Sequence, residues 1–168
     1  MVDRMSGPRP PTPLASRDVW VKALRLLLLL ACWAALAAYL VVLYRMTLTP
    51  VAGTDGLTPG NTDPGASIEL YLDHFDPVSA ALQIGGNLLL CAPLGLLLPV
   101  VTWSLRGPLR LAAAVAILMT VVELAQGFLV PGRAFDVDDL ILNVIGATLA
   151  YLVLGRRLSR GIRPSPGI

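Results

Sequence analysis

From Leu26 to Tyr44 the chain reads LLLLLACWAALAAYLVVLY, nineteen residues without a charge, after Lys22 and Arg25 and before Arg45. Crossing the hydrocarbon of a bilayer takes about 20 such residues in a helix. The stretch therefore predicts a membrane span and makes lipid the solvent for the rest of the fold. The composition around it agrees: of 168 residues, 55% are hydrophobic and 14% charged, against about 25% charged in an ordinary soluble domain. A soluble globule so poor in charge exposes too much apolar surface to stay dispersed, and disorder requires the opposite composition. A signal peptide is the rival reading of this stretch, because Ala35-Leu36-Ala37 resembles a cleavage site. The apolar region exceeds the roughly 7–15 residues of such peptides, so a retained helix is expected.

Three further apolar stretches follow: Pro77 to Leu105, Leu111 to Val130 with Glu123 inside it, and Leu140 to Gly155, which lengthens if Asp136 opens its first turn. The expectation is an all-α polytopic membrane protein. Its four transmembrane helices fall at about 20–45, 79–105, 109–130 and 137–155, with a connection over 46–78. Residues 19–156 form one domain, between a Pro-, Arg- and Ser-rich disordered tail at 1–18 and a basic tail at 157–168. Thr49 to Gly65 is rich in Thr, Pro, Gly and Asp and reads as flexible. After it, Ile68, Tyr71, Leu72 and Phe75 are spaced as one apolar helical stripe. That piece is either a helix lying at the membrane interface or an irregular loop.

Lys and Arg concentrate on the cytoplasmic side of short-looped membrane proteins. Eleven of them sit in the N-terminal flank, the second connection (Arg106 and Arg110) and the C-terminal tail, whereas the first and third connections hold only Arg45 and Arg133 against eight acids. Both termini are thus expected in the cytoplasm. The net charge of +2, with no basic strip interleaved with aromatics, gives no sign of a nucleic-acid partner. Twelve Arg against one Lys suggest a GC-rich bacterial genome. Cys32 and Cys91 lie in apolar runs, where free thiols act as small hydrophobes. Neither they nor His74 make a metal pattern, and no cofactor is implied.

An ionisable residue at membrane depth is a functional-site hypothesis by default. Glu123 is the only one within the apolar cores, and Gln126 shares its helix face. At a rise of about 1.5 Å per residue, Glu123, Asn87 and Asn143 all lie roughly 10 Å inside the outer ends of their helices, in one layer. Above them, Arg133 stands close in sequence to Asp136, Asp138 and Asp139. Asp136, Asp139, Asn143 and Gly146 fall in one quadrant of a helix starting at Asp136, and Asp138 points elsewhere. Simpler roles compete. Asp136 is a natural N-cap, the two Asn can bond neighbouring helices, Gly95 and Gly146 allow close helix approach, and Pro93 and Pro99 kink or end the second span.

Two elements carry a resemblance. Asn87-Leu-Leu-Leu-Cys-Ala-Pro93-Leu-Gly95 is the first; Glu123-Leu-Ala-Gln126, Arg133 and Asp136-Val-Asp138-Asp139-Leu-Ile-Leu-Asn143-Val-Ile-Gly146 form the second, more specific one. Over about residues 26–155 the chain resembles the VanZ-like membrane proteins, a family named for an accessory teicoplanin-resistance protein. Cys91 departs from the aromatic residue more usual there. The resemblance implies a small multi-helix envelope protein of bacteria and carries no established reaction.

Three functions follow as expectations. One is a binding or accessory protein whose polar cluster (Asn87, Glu123, Gln126, Arg133, Asp136, Asp139 and Asn143) holds a headgroup of a lipid-linked envelope precursor, or a partner membrane protein. Another is an intramembrane enzyme with Glu123 as acid or base and Asp136 and Asp139 around a cation. The third is transport, for which four helices without an inverted repeat are few.

Overall fold

The computed structural model describes residues 13–49, 60–130 and 134–163, and within these the chain is helical with no strand. Helix α1 (Pro13–Thr47) contains the first span. A short helix, α2 (Ala66–His74), precedes α3 (Pro77–Leu90) and α4 (Ala92–Val101), which together make the second span. A turn of 3-10 helix (Trp103–Leu105) leads to α5 (Pro108–Leu129), the third span. The fourth runs from Val137 to Ile162 through α6 (Val137–Ala150), a π turn (Tyr151–Gly155) and α7 (Arg156–Ile162).

Four helices are thus long and apolar enough to cross a membrane. Several boundaries differ from the sequence expectation. Residues 13–18, placed in the N-terminal tail, are already helical, and so is the start of the C-terminal tail, which continues the fourth span to Ile162. Those 26 residues extend about 39 Å at an α-helical rise. That exceeds a hydrocarbon thickness of about 30 Å and carries the Arg side chains of α7 beyond the apolar part. The stripe from Ile68 is helix, not loop, and its neighbour Asn61 is held to Asp136 by a parallel backbone bridge. The flexible reading of 49–65 therefore fails at its C-terminal end; residues 50–59 lie outside the described part.

The second span is broken, where a single helix over 79–105 was expected. Pro93 has no amide to donate to Leu89, and its ring crowds that carbonyl. The amide of Leu94 turns to Cys91 O at 3.0 Å, and the carbonyl of Leu90 accepts instead from the Tyr39 hydroxyl of α1. Pro99 is accommodated inside α4.

Helix α6 is central and packs against α3, α4 and α5. Glycine makes this possible: a Cβ on Gly146 would lie 1.8 Å from Leu88 O, and one on Gly95 2.0 Å from Ala147 O. Backbones touch directly at both crossings, the close packing that small residues allow between helices in lipid. Leu94, Leu111, Val115, Met119 and Ala147 fill the core beside Cys91, whose thiol, like that of Cys32, is free. The outer surface is apolar (Leu109 and Phe128 are each 84% exposed), while Glu123, Gln126, Asp138 and Asn143 are buried. Such an inversion suits lipid outside and hydrogen-bonded polar groups inside.

Candidate functional site

The polar groups gather where α3, α5 and α6 meet the end of α1. Asp136 precedes α6 in extended backbone, and its carboxylate accepts from the Asp138 amide at 2.9 Å, capping the helix. It also accepts from the Ser67 hydroxyl at 2.6 Å and from Asn61 Nδ2 at 3.0 Å. One turn on, Asp139 accepts from Asn87 Nδ2 on α3. Asn143 Nδ2 donates back to Asp139 O at 2.8 Å, and Asn143 Oδ1 is buried with no hydrogen-bond partner among the described residues. On α5, Gln126 donates to Thr47 O at 2.8 Å, closing the last turn of α1. Glu123 accepts from the Asp136 amide at 3.3 Å, which ties α5 to the start of α6.

Two adjoining cavities flank this layer. The first, about 310 Å³, reaches between α3 and α5 past Asn87, Glu123, Gln126, Asp139 and Asn143. The second, about 420 Å³, lies towards α2 and is lined by Asn61, Ser67, Tyr71 and Asp136. Gln83, Glu123, Gln126 and Asp139 belong to both walls. Burial, then the charges of Asp139, Asp136 and Asp138, push the Tyr71 phenol above its ordinary value.

Six of the seven polar residues read from the sequence are therefore neighbours, on α3, α5 and the start of α6. The seventh, Arg133, lies outside the described residues. Asp136 and Asp139 turn to different partners instead of converging on one point. Among the described residues, no group of three or more His, Cys, Asp or Glu is arranged to hold a metal ion.

Sequence reasoning turned Asp138 away from the Asp139 face but gave it no role, and missed Asn61, Ser67 and Gln83. Asp138 is 1% exposed and points away from the Asp139 face. Its Oδ1 accepts from the Gly65 amide at 2.6 Å and its Oδ2 from the Ser67 amide at 2.8 Å, with Ile68 N–H at 3.4 Å and Asn61 Nδ2 at 3.3 Å. It thereby caps α2, about which Gly65 turns with φ of 97°, a left-handed conformation that glycine adopts without strain. A carboxylate there also answers the positive end of the helix. These partners are some 70 residues apart, so no local pattern announces them. Gln83 could have been found, since it lies four residues before Asn87 on one helical face.

An interior of hydrogen-bonded carboxylates and amides, wrapped in four apolar helices of spanning length, defines a multi-pass membrane protein. More particularly, the chain belongs to the VanZ/LLP1 family, whose sequence model matches residues 27–157 and so takes in the whole polar layer. No curated protein and no solved structure matches it.

Proposed function

We propose that this VanZ-like protein is a binding or accessory factor of the bacterial cell envelope, with its polar layer in the outer leaflet of the cytoplasmic membrane. The observation that carries the reading is the wall shared by the two cavities, where Gln83, Glu123, Gln126 and Asp139 present carboxylates and amides between helices of spanning length. Such a wall suits a ligand rich in hydroxyl or amide groups, as in the headgroup of a lipid-linked envelope precursor. The charge asymmetry supports the orientation: basic flanks favour the cytoplasm, which would open the cavities towards the outer side. The resemblance to the teicoplanin-resistance family makes glycopeptide susceptibility the phenotype to measure.

Binding is favoured over catalysis by what the aliphatic hydroxyls in the cavity walls do. Thr47 Oγ1 donates to Leu43 O at 2.7 Å and Ser67 Oγ to Asp136, so both are engaged in holding the fold. Asp136 and Asp138 are likewise occupied as helix caps.

The test is complementation of a deletion strain with Glu123→Gln and Arg133→Ala, scored by teicoplanin susceptibility and by insertion into the membrane. Both variants should insert normally and fail to restore the wild-type phenotype. Full restoration by both would remove the polar layer from the function. A photocrosslinker at position 87 or 126 in native membranes should capture a lipid precursor or a partner helix.

A further inference from the structure

At the other end of the bundle a cavity of about 450 Å³ is lined by Arg106, Arg156 and Arg160, together with Pro108, Tyr151 and Ser159. We propose that this cavity is a binding site for a phosphate group carrying net negative charge. Three arginines line one cavity, and no carboxylate residue is among its described lining residues. The chain supplies none nearby in sequence either, since neither 77–122 nor 140–168 contains an Asp or Glu.

The three arginines have different parts. Arg106 is fixed: its Nε donates to Pro99 O and its Nη2 to Ser159 O, each at 2.9 Å, and its guanidinium lies 4.1 Å from the centre of the Trp103 ring. Its Nη1 is buried with no hydrogen-bond partner among the described residues, a donor still to be satisfied. Arg156 and Arg160 are exposed and stand four residues apart on one face of α7. Like charges at that spacing repel. Burial, and then the charges of Arg163 and Arg160, weaken the proton affinity of Arg106. An anion in the cavity offsets the repulsion between Arg156 and Arg160 and the positive charge around Arg106. The planar fork of a guanidinium matches two phosphate oxygens better than an ammonium does.

The chemistry has two possible sources, the phosphodiester of an anionic phospholipid and a soluble phosphate. Basic pockets between helices at the cytoplasmic face suit lipid headgroups, and the charge asymmetry assigns this end of the bundle to that face. The site is independent of the outer polar layer, so either reading can fail alone.

The full-length protein should be purified in detergent and offered phosphatidylglycerol or phosphatidylcholine, with the retained lipid counted by native mass spectrometry. In parallel, its thermal unfolding in phosphatidylcholine nanodiscs is followed with and without inorganic phosphate. Arg106 also holds backbone carbonyls, so the variant to use is Arg156→Gln/Arg160→Gln, which alters only exposed side chains; Arg157→Gln, exposed but off the cavity wall, controls for charge alone. Selective retention of phosphatidylglycerol that phosphate does not displace, weakened roughly tenfold or more in the double variant, supports a lipid site. Stabilisation by phosphate in nanodiscs that the double variant loses supports a soluble ligand. Absence of both effects overturns the site, and so does an equal loss on Arg157→Gln.

Discussion

At the end of the bundle that begins α6, Asp136, Asp138 and Asp139 all accept hydrogen bonds from neutral donors of the chain: backbone amides, a hydroxyl and two Asn side chains. At the end that finishes α7, Arg106 and Arg163 donate to the carbonyls of Pro99, Ser159 and Val101, while Arg156 and Arg160 stand exposed. Both ends close apolar helices with charged side chains, yet only the acidic one closes on itself. Carboxylates there gather orphan N–H groups of two helix starts, the positive helix ends that anions favour. Guanidiniums at the other end gather carbonyls freed around Pro99 and the last turns, and Arg156 and Arg160 add exposed positive charge beside them. The acidic end is consequently structural as well as a candidate site. The basic end is the phosphate site proposed above.

The largest effect that could break this comparison is expected at Asp138. Its two oxygens accept from the amides of Gly65 and Ser67 on opposite sides. In Asp138→Asn one acceptor becomes an NH2 that faces a backbone N–H, leaving buried donors without partners. Loss of a buried, charge-assisted set of this kind costs roughly 3 kcal/mol. Thermal unfolding in detergent should fall accordingly, and limited proteolysis should begin near residues 60–75. An unchanged midpoint would mean that α2 is held by its apolar contacts alone.

A smaller effect is expected at the basic end. Arg106→Gln removes two bonds to backbone carbonyls and the packing on Trp103, but also relieves repulsion from Arg163 and Arg160, so the net cost is about 1–2 kcal/mol. Added salt screens that repulsion and so should widen the gap between Arg106→Gln and the wild type. If Arg106→Gln costs as much as Asp138→Asn, the basic end is closed as tightly as the acidic one and the contrast disappears.

What was legible in the sequence follows the same division. The four spans were readable because hydropathy is summed over about 20 residues and tolerates local error. The layer of Asn87, Glu123, Gln126, Asp139 and Asn143 was readable because the cost of polar groups in lipid turns them inward whatever the details. The cap at Asp136 is local and needs only its own helix start. The role of Asp138 was not readable, although its face was, since that role depends on Gly65 and Ser67, in a segment whose composition suggests flexibility. The break at Cys91 was half readable: Pro93 announces a disturbance, but only the Tyr39 hydroxyl on another helix shows how the freed Leu90 carbonyl is satisfied.

The smallest expected effect tests whether capping by a carboxylate at the acidic end extends to a site open to water. Asp76 is the N-cap of α3 and accepts from the amides of Val78 at 3.0 Å and Ser79 at 3.1 Å. Hydrogen bonds from Ser79 hold its carboxyl below the ordinary Asp range. A depressed folded value means that the cap contributes fully above the unfolded value of about 3.9. The contribution is lost as pH falls through the lower, folded value. The Ser79 amide resonance should therefore titrate with a midpoint below about 3.9, and Asp76→Asn should abolish the titration. Because the side chain is exposed, the global unfolding midpoint should hardly move over the same range, in contrast to Asp138. A midpoint at or above the ordinary Asp value would show that this cap is made in the helix but not felt by the proton, and would confine carboxylate capping to Asp136 and Asp138 at the start of α6.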